Sequence, residues 1–370
     1  MPTGGDNKLI LLAAGGTGGH LFPAQALANA LQKRGAIIEL ATDARAAHFE
    51  FPARAVHIIP SATLRGRNPV ALARTVTLLA LGTAKAWLLL ARIKPAVVVG
   101  FGGYPSVPPL MAASWRSVPT VLHEQNSVIG RANNLLAPRV TAIATGFRGL
   151  KMNRHWHSKM TFTGNPLRPE VIAAATTPYA APDGNGTLRV VVFGGSQGAH
   201  VMAEIVPAAI GLLSAELGVR LNLVQQARAE DLDAVRSIYK RLGVATEVAP
   251  FFSDLPARMA AAHLVISRSG ASTVAELSAI GRPAILVPLP HALDQDQFAN
   301  AGVLAEAGGA IRIEQRDFTP QRLASEIAAL AGDPARLAGM AQAAKSAGSI
   351  DAAERLADLV LKVAGDWGSP

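Results

Sequence analysis

The chain has no cysteine among its 370 residues, which excludes disulfides and thiolate metal sites and suits a reducing compartment. Aromatic residues make up only 5%, little material for stacking on bases, and no RNA- or DNA-binding signature occurs, so nucleic acid is not an expected partner. The apolar stretch after Lys8, LILLAA, is cut short at Gly15 and Gly16. It is too brief for a signal-peptide core and reads as the first strand of a cytosolic protein. No Gly-Lys-Ser/Thr triplet occurs, and Leu21 stands where a dinucleotide fingerprint needs its third glycine. Walker-type NTPases and dinucleotide enzymes are therefore not expected. His155 and His157 have ligand-like spacing but no acidic or cysteine neighbour, so no metal site is read there.

What is present is apolar. Hydrophobic residues are 50% of the chain and charged residues 16%, enough for large cores in two domains. Unbroken Val/Ile/Leu runs alternate with helical patterns, near 8–14, 36–40, 56–59, 96–99, 120–123, 140–144 and 159–163. A second series begins at Leu188 and continues near 219–224, 246–249, 263–266, 284–287 and 310–313. Such runs are what parallel strands covered on both faces require. The expected fold class is α/β, with two doubly wound parallel-sheet domains, 1–168 and 169–350. The Pro/Gly-rich TTPYAAPDGNGT connects them, and a last helix in 351–370 returns to the first domain.

Charge is unevenly divided. Residues 1–168 hold 19 Lys and Arg against 5 Asp and Glu, and residues 169–370 hold 16 against 21. The basic half must meet something anionic, and a membrane face fits best. The longest helix pattern, 69–93, has an uncharged run of about half the ~20 residues needed to cross a bilayer. With Arg65, Arg67, Arg74, Lys85 and Arg92 along it and Trp87 at headgroup depth, it reads as an interfacial face rather than a span.

The stretch 264–276, LVISRSGASTVAE, reads as a buried strand, a tight loop and a helix capped by Ser272 or Thr273. Its unpaired N–H groups and positive helix end invite an anion, Arg268 adds a charge suited to phosphate, and Glu276 offers a carboxylate to two vicinal hydroxyls. Phosphate and ribose together suggest a nucleotide diphosphate. A second glycine loop, GGTGGH (Gly15, Gly16, Thr17, Gly18, Gly19, His20), follows the first strand, and GFGGYPS, HEQNS and GGSQGA also end strands, where ligands bind in such sheets.

Taken in order, GGTGGHLFPA, GGYPS, HEQNS, TGNPLR, GGSQGA, SRSGASTVAE and PLPH with its following Gln and Asn-Ala closely resemble the MurG family of bacterial N-acetylglucosaminyltransferases. The resemblance runs from about Leu9 to Gly348. It implies the GT-B fold, two Rossmann-like domains facing across a cleft, and transfer of GlcNAc from UDP-GlcNAc to lipid I, an undecaprenyl-linked acceptor, at the cytoplasmic leaflet. By matching motif, Glu276 would hold the ribose, while Arg168, Ser196, Arg268, Ser269 and Gly270 would surround the diphosphate. Phe252 would lie at the uracil, and Asn126 and Gln297 would contact the sugar. Gly15 to Gly19 with Gly102, Gly103 and Tyr104 would take the acceptor pyrophosphate. Where the family commonly carries a second Gln, this chain has Asp296.

The implied chemistry is attack of the MurNAc C4 hydroxyl on the anomeric carbon with inversion. His20 is the first candidate base and Glu124 the second. No cofactor is required, and a divalent cation would assist by neutralising the acceptor pyrophosphate. A UDP-GlcNAc 2-epimerase, a diacylglycerol glycosyltransferase and a non-catalytic sugar-nucleotide-binding subunit remain as alternatives.

Overall fold

The computed structural model describes residues 7–16, 18–46, 49–63, 68–150, 152–183, 186–195, 198–290 and 295–365. They form two compact units. One comprises the described residues up to Arg168 together with those from Asp351 onward, and the other runs from Pro169 to Ile350.

In the first unit the apolar runs become seven parallel strands: β1 (Leu9–Ala13), β2 (Ile37–Thr42), β3 (Ala55–Ile58), β4 (Val97–Gly100), β5 (Thr120–Glu124), β6 (Ala142–Thr145) and β7 (Met160–Phe162). Their order is β3-β2-β1-β4-β5-β6-β7. Successive side chains of a strand point to opposite faces. Ile10, Leu12, Val97 and Val99 therefore join one buried layer, and Leu11, Ala13 and Val98 the other. The first layer is closed by α1 (Gly18–Gln32) and by the C-terminal helix Ala352–Gly365, which contributes Leu356, Val360 and Val363. The second is closed by α2 (Pro69–Ile93) and α3 (Val107–Trp115).

Helix α2 starts where the Asn68 side chain accepts a hydrogen bond from Val70 N at 3.0 Å, with Pro69 at the first helical position, a combination that satisfies an orphan donor and presets φ. By length and composition it is the one described helix that could cross a membrane, a longer apolar element than the interrupted sequence suggested. Its face of Gly82, Thr83, Ala86, Leu89 and Leu90 is buried, and it packs on α3. The opposite side leaves Val70, Leu72, Val76, Leu81 and Leu88 exposed.

The second unit has six parallel strands: β8 (Leu188–Phe193), β9 (Leu221–Gln226), β10 (Ala245–Ala249), β11 (Leu264–Ser267), β12 (Ala284–Leu286) and β13 (Ala310–Arg312), in the order β10-β9-β8-β11-β12-β13. The strand expected from Val219 begins at Leu221. Ser214 Oγ accepts from Leu217 N at 3.3 Å and caps a short helix, Ala215–Arg220, which consumes Val219 and leaves it 78% exposed.

Both sheets reverse their strand order at one place, between β1 and β4 and between β8 and β11. The crevice outside the carboxyl ends of strands at such a switch point is where open α/β sheets bind ligands. The loops GGTGGH and GGYPS leave β1 and β4, and GGSQGA and SRSG leave β8 and β11.

Two helical glycines should respond oppositely to alanine. A Cβ on Gly82 would meet Pro60 O at 2.0 Å, whereas one on the exposed Gly339 meets nothing within 4 Å. Gly339→Ala is expected to raise stability by up to ~1 kcal/mol through helix propensity. Gly82→Ala is expected to lower it by ~1–3 kcal/mol through overpacking, with both changes read in thermal melts.

Candidate functional site

His20 lies in the first turn of α1. Its ring is brought against the β4 loop: a Cβ on Gly103 would sit 3.3 Å from both His20 Cδ2 and Nε2. Gly103 also has φ +69°, a left-handed backbone that a larger residue adopts at a cost. The Nε2 edge of the imidazole thus lies beside Gly103, while Nδ1 is buried. Burial is the first cause that lowers the His20 pKa and nearby Arg45 adds to it, against the Gln125 side chain and the Phe101 carbonyl, which raise it. A depressed imidazole pKa keeps the ring neutral and able to accept a proton near neutral pH.

Glu124, at the end of β5, is 1% exposed, and both of its oxygens are engaged. Oε1 accepts from Asn126 N at 2.9 Å and Asn126 Nδ2 at 3.2 Å; Oε2 accepts from Gly130 N at 2.9 Å and Asn133 Nδ2 at 2.7 Å. Burial raises its pKa while these four donors pull the other way. A carboxylate so committed organises the 124–133 loop and is a poor second candidate for base. The same bonds hold the Asn126 side chain, assigned above to sugar contact.

His123 is buried between two partners. Its Nε2 lies 3.0 Å from Gly164 O and its Nδ1 lies 3.1 Å from Gln125 Nε2. A carbonyl can only accept, so Nε2 carries the proton and Nδ1 accepts. Burial pushes the ring down to about 4.

Sequence reasoning missed several residues here. Arg45, ion-paired to Asp43 at 2.5 Å, covers Gly16, with Nη2 3.0 Å from where a Cβ would stand. Gly15 is pressed on Thr42 Oγ1 and Asp43 Oδ1, both buried oxygens without a hydrogen-bond partner. These residues end or follow β2, far from any glycine motif in the sequence, and only the sheet order brings them to β1. Arg168 stacks on Phe22 of α1 at 4.9 Å, so within its unit it stands beside the first glycine loop. Tyr104 and Gly102 begin the turn after β4. Thr17, Arg65, Arg67 and Ser196 lie outside the described residues. Arg74, Lys85 and Arg92 are exposed on α2, and Trp87 is covered on one face by Arg116 at 4.7 Å.

In the second unit, Gly194 is forced by closeness: a Cβ there would meet Ala199 N at 2.2 Å. The β11 loop departs from expectation in two ways. The loop is only three residues, 268–270, so the helix Ala271–Ile280 begins at once with Gly270 as its N-cap and no side-chain cap. Ser272 and Thr273 fall inside its first turn instead of capping it, and Glu276 follows one turn later, half-buried. Arg268 is 8% exposed, donating from Nη1 to Val287 O at 3.1 Å and Pro288 O at 3.0 Å, and from Nη2 to Gln315 Oε1 at 2.5 Å. Its guanidinium braces the sheet edge, and desolvation lowers its pKa. The guanidinium named above for phosphate thus already donates to three acceptors of the protein. Ser269 Oγ donates to Gln297 O at 2.8 Å, and Gln297 Oε1 accepts from Leu289 N at 3.0 Å, so that amide oxygen is holding a loop. Asp296 accepts from Gln297 N at 2.8 Å, at the start of the helix Asp296–Glu306. Phe252 is buried under the Arg258 guanidinium at 4.4 Å. Among the described residues no group of three or more His, Asp or Glu is placed to hold a metal ion.

Two family models match in tandem, the glycosyltransferase family 28 N-terminal domain over residues 10–145 and the family 28 C-terminal domain over 189–356. The chain is 61% identical over 360 residues, 96% of each chain, to a protein of Rhodopseudomonas palustris (strain BisB18). It is 60% identical over 359 residues to one of Nitrobacter hamburgensis, 96% of this chain and 97% of that one. Both are named UDP-N-acetylglucosamine–N-acetylmuramyl-(pentapeptide) pyrophosphoryl-undecaprenol N-acetylglucosamine transferase. Among solved structures, MurG of Acinetobacter baumannii matches with a TM-score of 0.78 and 28% identity, covering 96% of this chain and 99% of that one.

Burial of His123 has a measurable consequence. Unfolded, the ring binds a proton near pH 6.5; folded, it does so only at about 4. The neutral ring's contribution is complete above pH ~6.5 and is lost as pH falls toward 4, a change of about 3 kcal/mol. Urea unfolding of wild type and His123→Gln at pH 7 and pH 4.5 should show the steeper loss in wild type. Equal losses would mean that burial does not hold the ring neutral.

Proposed function

Because the chain belongs to the MurG family of family 28 glycosyltransferases, we propose that it moves GlcNAc from UDP-GlcNAc to the C4 hydroxyl of MurNAc in lipid I, giving lipid II for peptidoglycan. The observation that carries this reading is the pairing of glycine-lined loops at both switch points. One set suits the pyrophosphate of a lipid carrier and the other a nucleotide diphosphate.

The donor side rests on the uncapped N-terminus of the helix Ala271–Ile280, Glu276 and the GGSQGA loop with Ser196. N–H groups fixed there stabilise the charge that grows on departing UDP without reorganising. Each charged hydrogen bond of this kind is worth roughly 1.5–3 kcal/mol. Arg268 acts by holding the loop, and Arg168 and Arg45, which stand beside the first glycine loop, add guanidinium charge. No metal is required for this scheme, and a divalent cation stimulates by neutralising the acceptor pyrophosphate.

On the acceptor side His20 is the base. Its neutral imidazole, with Nε2 beside Gly103, takes the C4 hydroxyl proton as oxygen attacks the anomeric carbon. Asn126 and Gln297 approach the sugar through whatever capacity their loop bonds leave. The enzyme works as a peripheral protein on the cytoplasmic leaflet. The exposed Val70, Val76, Leu81 and Leu88 of α2, with Trp115 and the cations Arg74, Lys85, Arg92 and Arg116, suit an interface of apolar chains and anionic headgroups.

Incubation with UDP-GlcNAc and a short-chain lipid I analogue should yield the β-1,4 disaccharide. UDP-GlcNAc turnover without acceptor would instead favour an epimerase. His20→Ala should lower kcat by on the order of 10²–10⁴ while the KM for UDP-GlcNAc barely moves; near-normal turnover would remove His20 from the mechanism. In sedimentation with anionic phospholipid vesicles the protein should pellet, and Val76→Glu/Leu88→Glu should release it. Equal retention of both proteins would place the contact elsewhere.

A further inference from the structure

Gln226 is the last residue of β9, the strand that separates β8 from β10. It is 8% exposed, and its side chain reaches both neighbours just past their ends. Oε1 accepts at 3.3 Å from the N–H of Gly194, the first residue after β8, and Nε2 donates at 3.1 Å to the carbonyl of Pro250, the first after β10. An N–H can only donate and a carbonyl can only accept, so these partners fix which end of the amide is oxygen. The bridge stands where the ladder runs out. β9 and β10 stay in register to the pair Gln226 and Ala249, Ala227 N donates to Ala249 O at 3.1 Å, and Pro250 has no N–H with which to continue. One amide thus ties the loop after β8 to the loop after β10 across the end of β9.

We propose that Gln226 is a positioning residue that sets nucleotide specificity, its amide holding the loop of Pro250 to Phe252 at a fixed distance from the glycine loop. This rests on the reading of the second unit as the UDP-GlcNAc site, with GGSQGA at the diphosphate and Phe252 at the uracil. Neighbouring strands lie about 4.8 Å apart, so β8 and β10 are separated by ~10 Å, a span of the order of that from diphosphate to base in a nucleotide. A diphosphate seated on the first loop then presents its base to the second at a set height, and bases of another size or hydrogen-bonding edge are refused. The glycine loop has other attachments to the turn after β9. His200 Nδ1 lies 2.8 Å from Asp231 Oδ1, and a Cβ on Gly198 would stand 3.0 Å from Arg228 Cγ. It therefore keeps its place without Gln226, and the base loop is what the amide adjusts.

The test compares UDP-GlcNAc with ADP-GlcNAc as donors to the short-chain lipid I analogue. Wild type should prefer the uridine donor. Gln226→Met removes both bonds at similar volume. It should lower kcat/KM for UDP-GlcNAc on the order of tenfold, mainly through KM, and that for ADP-GlcNAc by a smaller factor, so that the preference shrinks. Gln226→Asn keeps the amide but is one methylene too short to span both loops. It should lose the preference in the same way, and it decides the matter if Gln226→Met does not fold. Equal losses on the two donors leave the preference intact, mark the amide as purely structural and overturn the proposal while the base loop keeps its role. A wild-type enzyme that uses both donors equally takes down the assignment of the base to the Phe252 loop, and the proposal with it.

Discussion

Everything in this molecule depends on how two parallel sheets end. At a switch point the chain leaves adjacent strands in opposite directions, so the carboxyl ends of β1 and β4, and of β8 and β11, open a crevice lined by backbone rather than side chain. That crevice is useful only if nothing fills it. Gly103 and Gly194 show the constraint directly: one carries a backbone twist and a neighbouring imidazole, the other an amide nitrogen too close for any Cβ. The helices that follow then aim their unpaired N–H groups into the opening.

Around this frame the charged and polar side chains are mostly spent on structure. Glu124 satisfies four donors, Arg268 three acceptors, and His123 is kept neutral by burial between a carbonyl and an amide. The reason is energetic. A buried ionisable group without partners costs more than folding can spare, so each is either paired or discharged. Some buried atoms have no partner among the described residues, and Thr42 Oγ1, Asp43 Oδ1 and His20 Nδ1 are three of these that gather near the first glycine loop, where unsatisfied groups are expected if a ligand is received.

The fold was largely legible in the sequence. Runs such as 97–99 and 190–192 can be buried on both faces only in a parallel sheet, and the glycine motifs at their ends mark the ligand side. Errors came where a local hydrogen bond outranked propensity. Ser214 captured Val219 into a helix, and a loop of three residues left Ser272 and Thr273 no room to cap. In the site, motif reading singled out His20 and the strand-end glycines, but the internal bonds of Arg268 and Gln297 were not legible, because a sequence does not reveal which carbonyl or amide a long side chain will meet. Arg45 and Asn133 were invisible for the opposite reason. They reach the site through strand order and a helix turn, and no spacing along the chain announces either.

The helix Ala352–Gly365 belongs to the first unit although the whole second unit precedes it. Leu356, Val360 and Val363 seal a sheet face shared with α1, and Arg34 grips the helix through Glu354 and Asp358. During synthesis the N-terminal sheet must therefore wait, one side uncovered, until nearly all of the remaining chain has emerged from the ribosome. A fragment ending at the interdomain linker would carry that greasy side permanently, and the unit that first leaves the exit tunnel is the last to be finished.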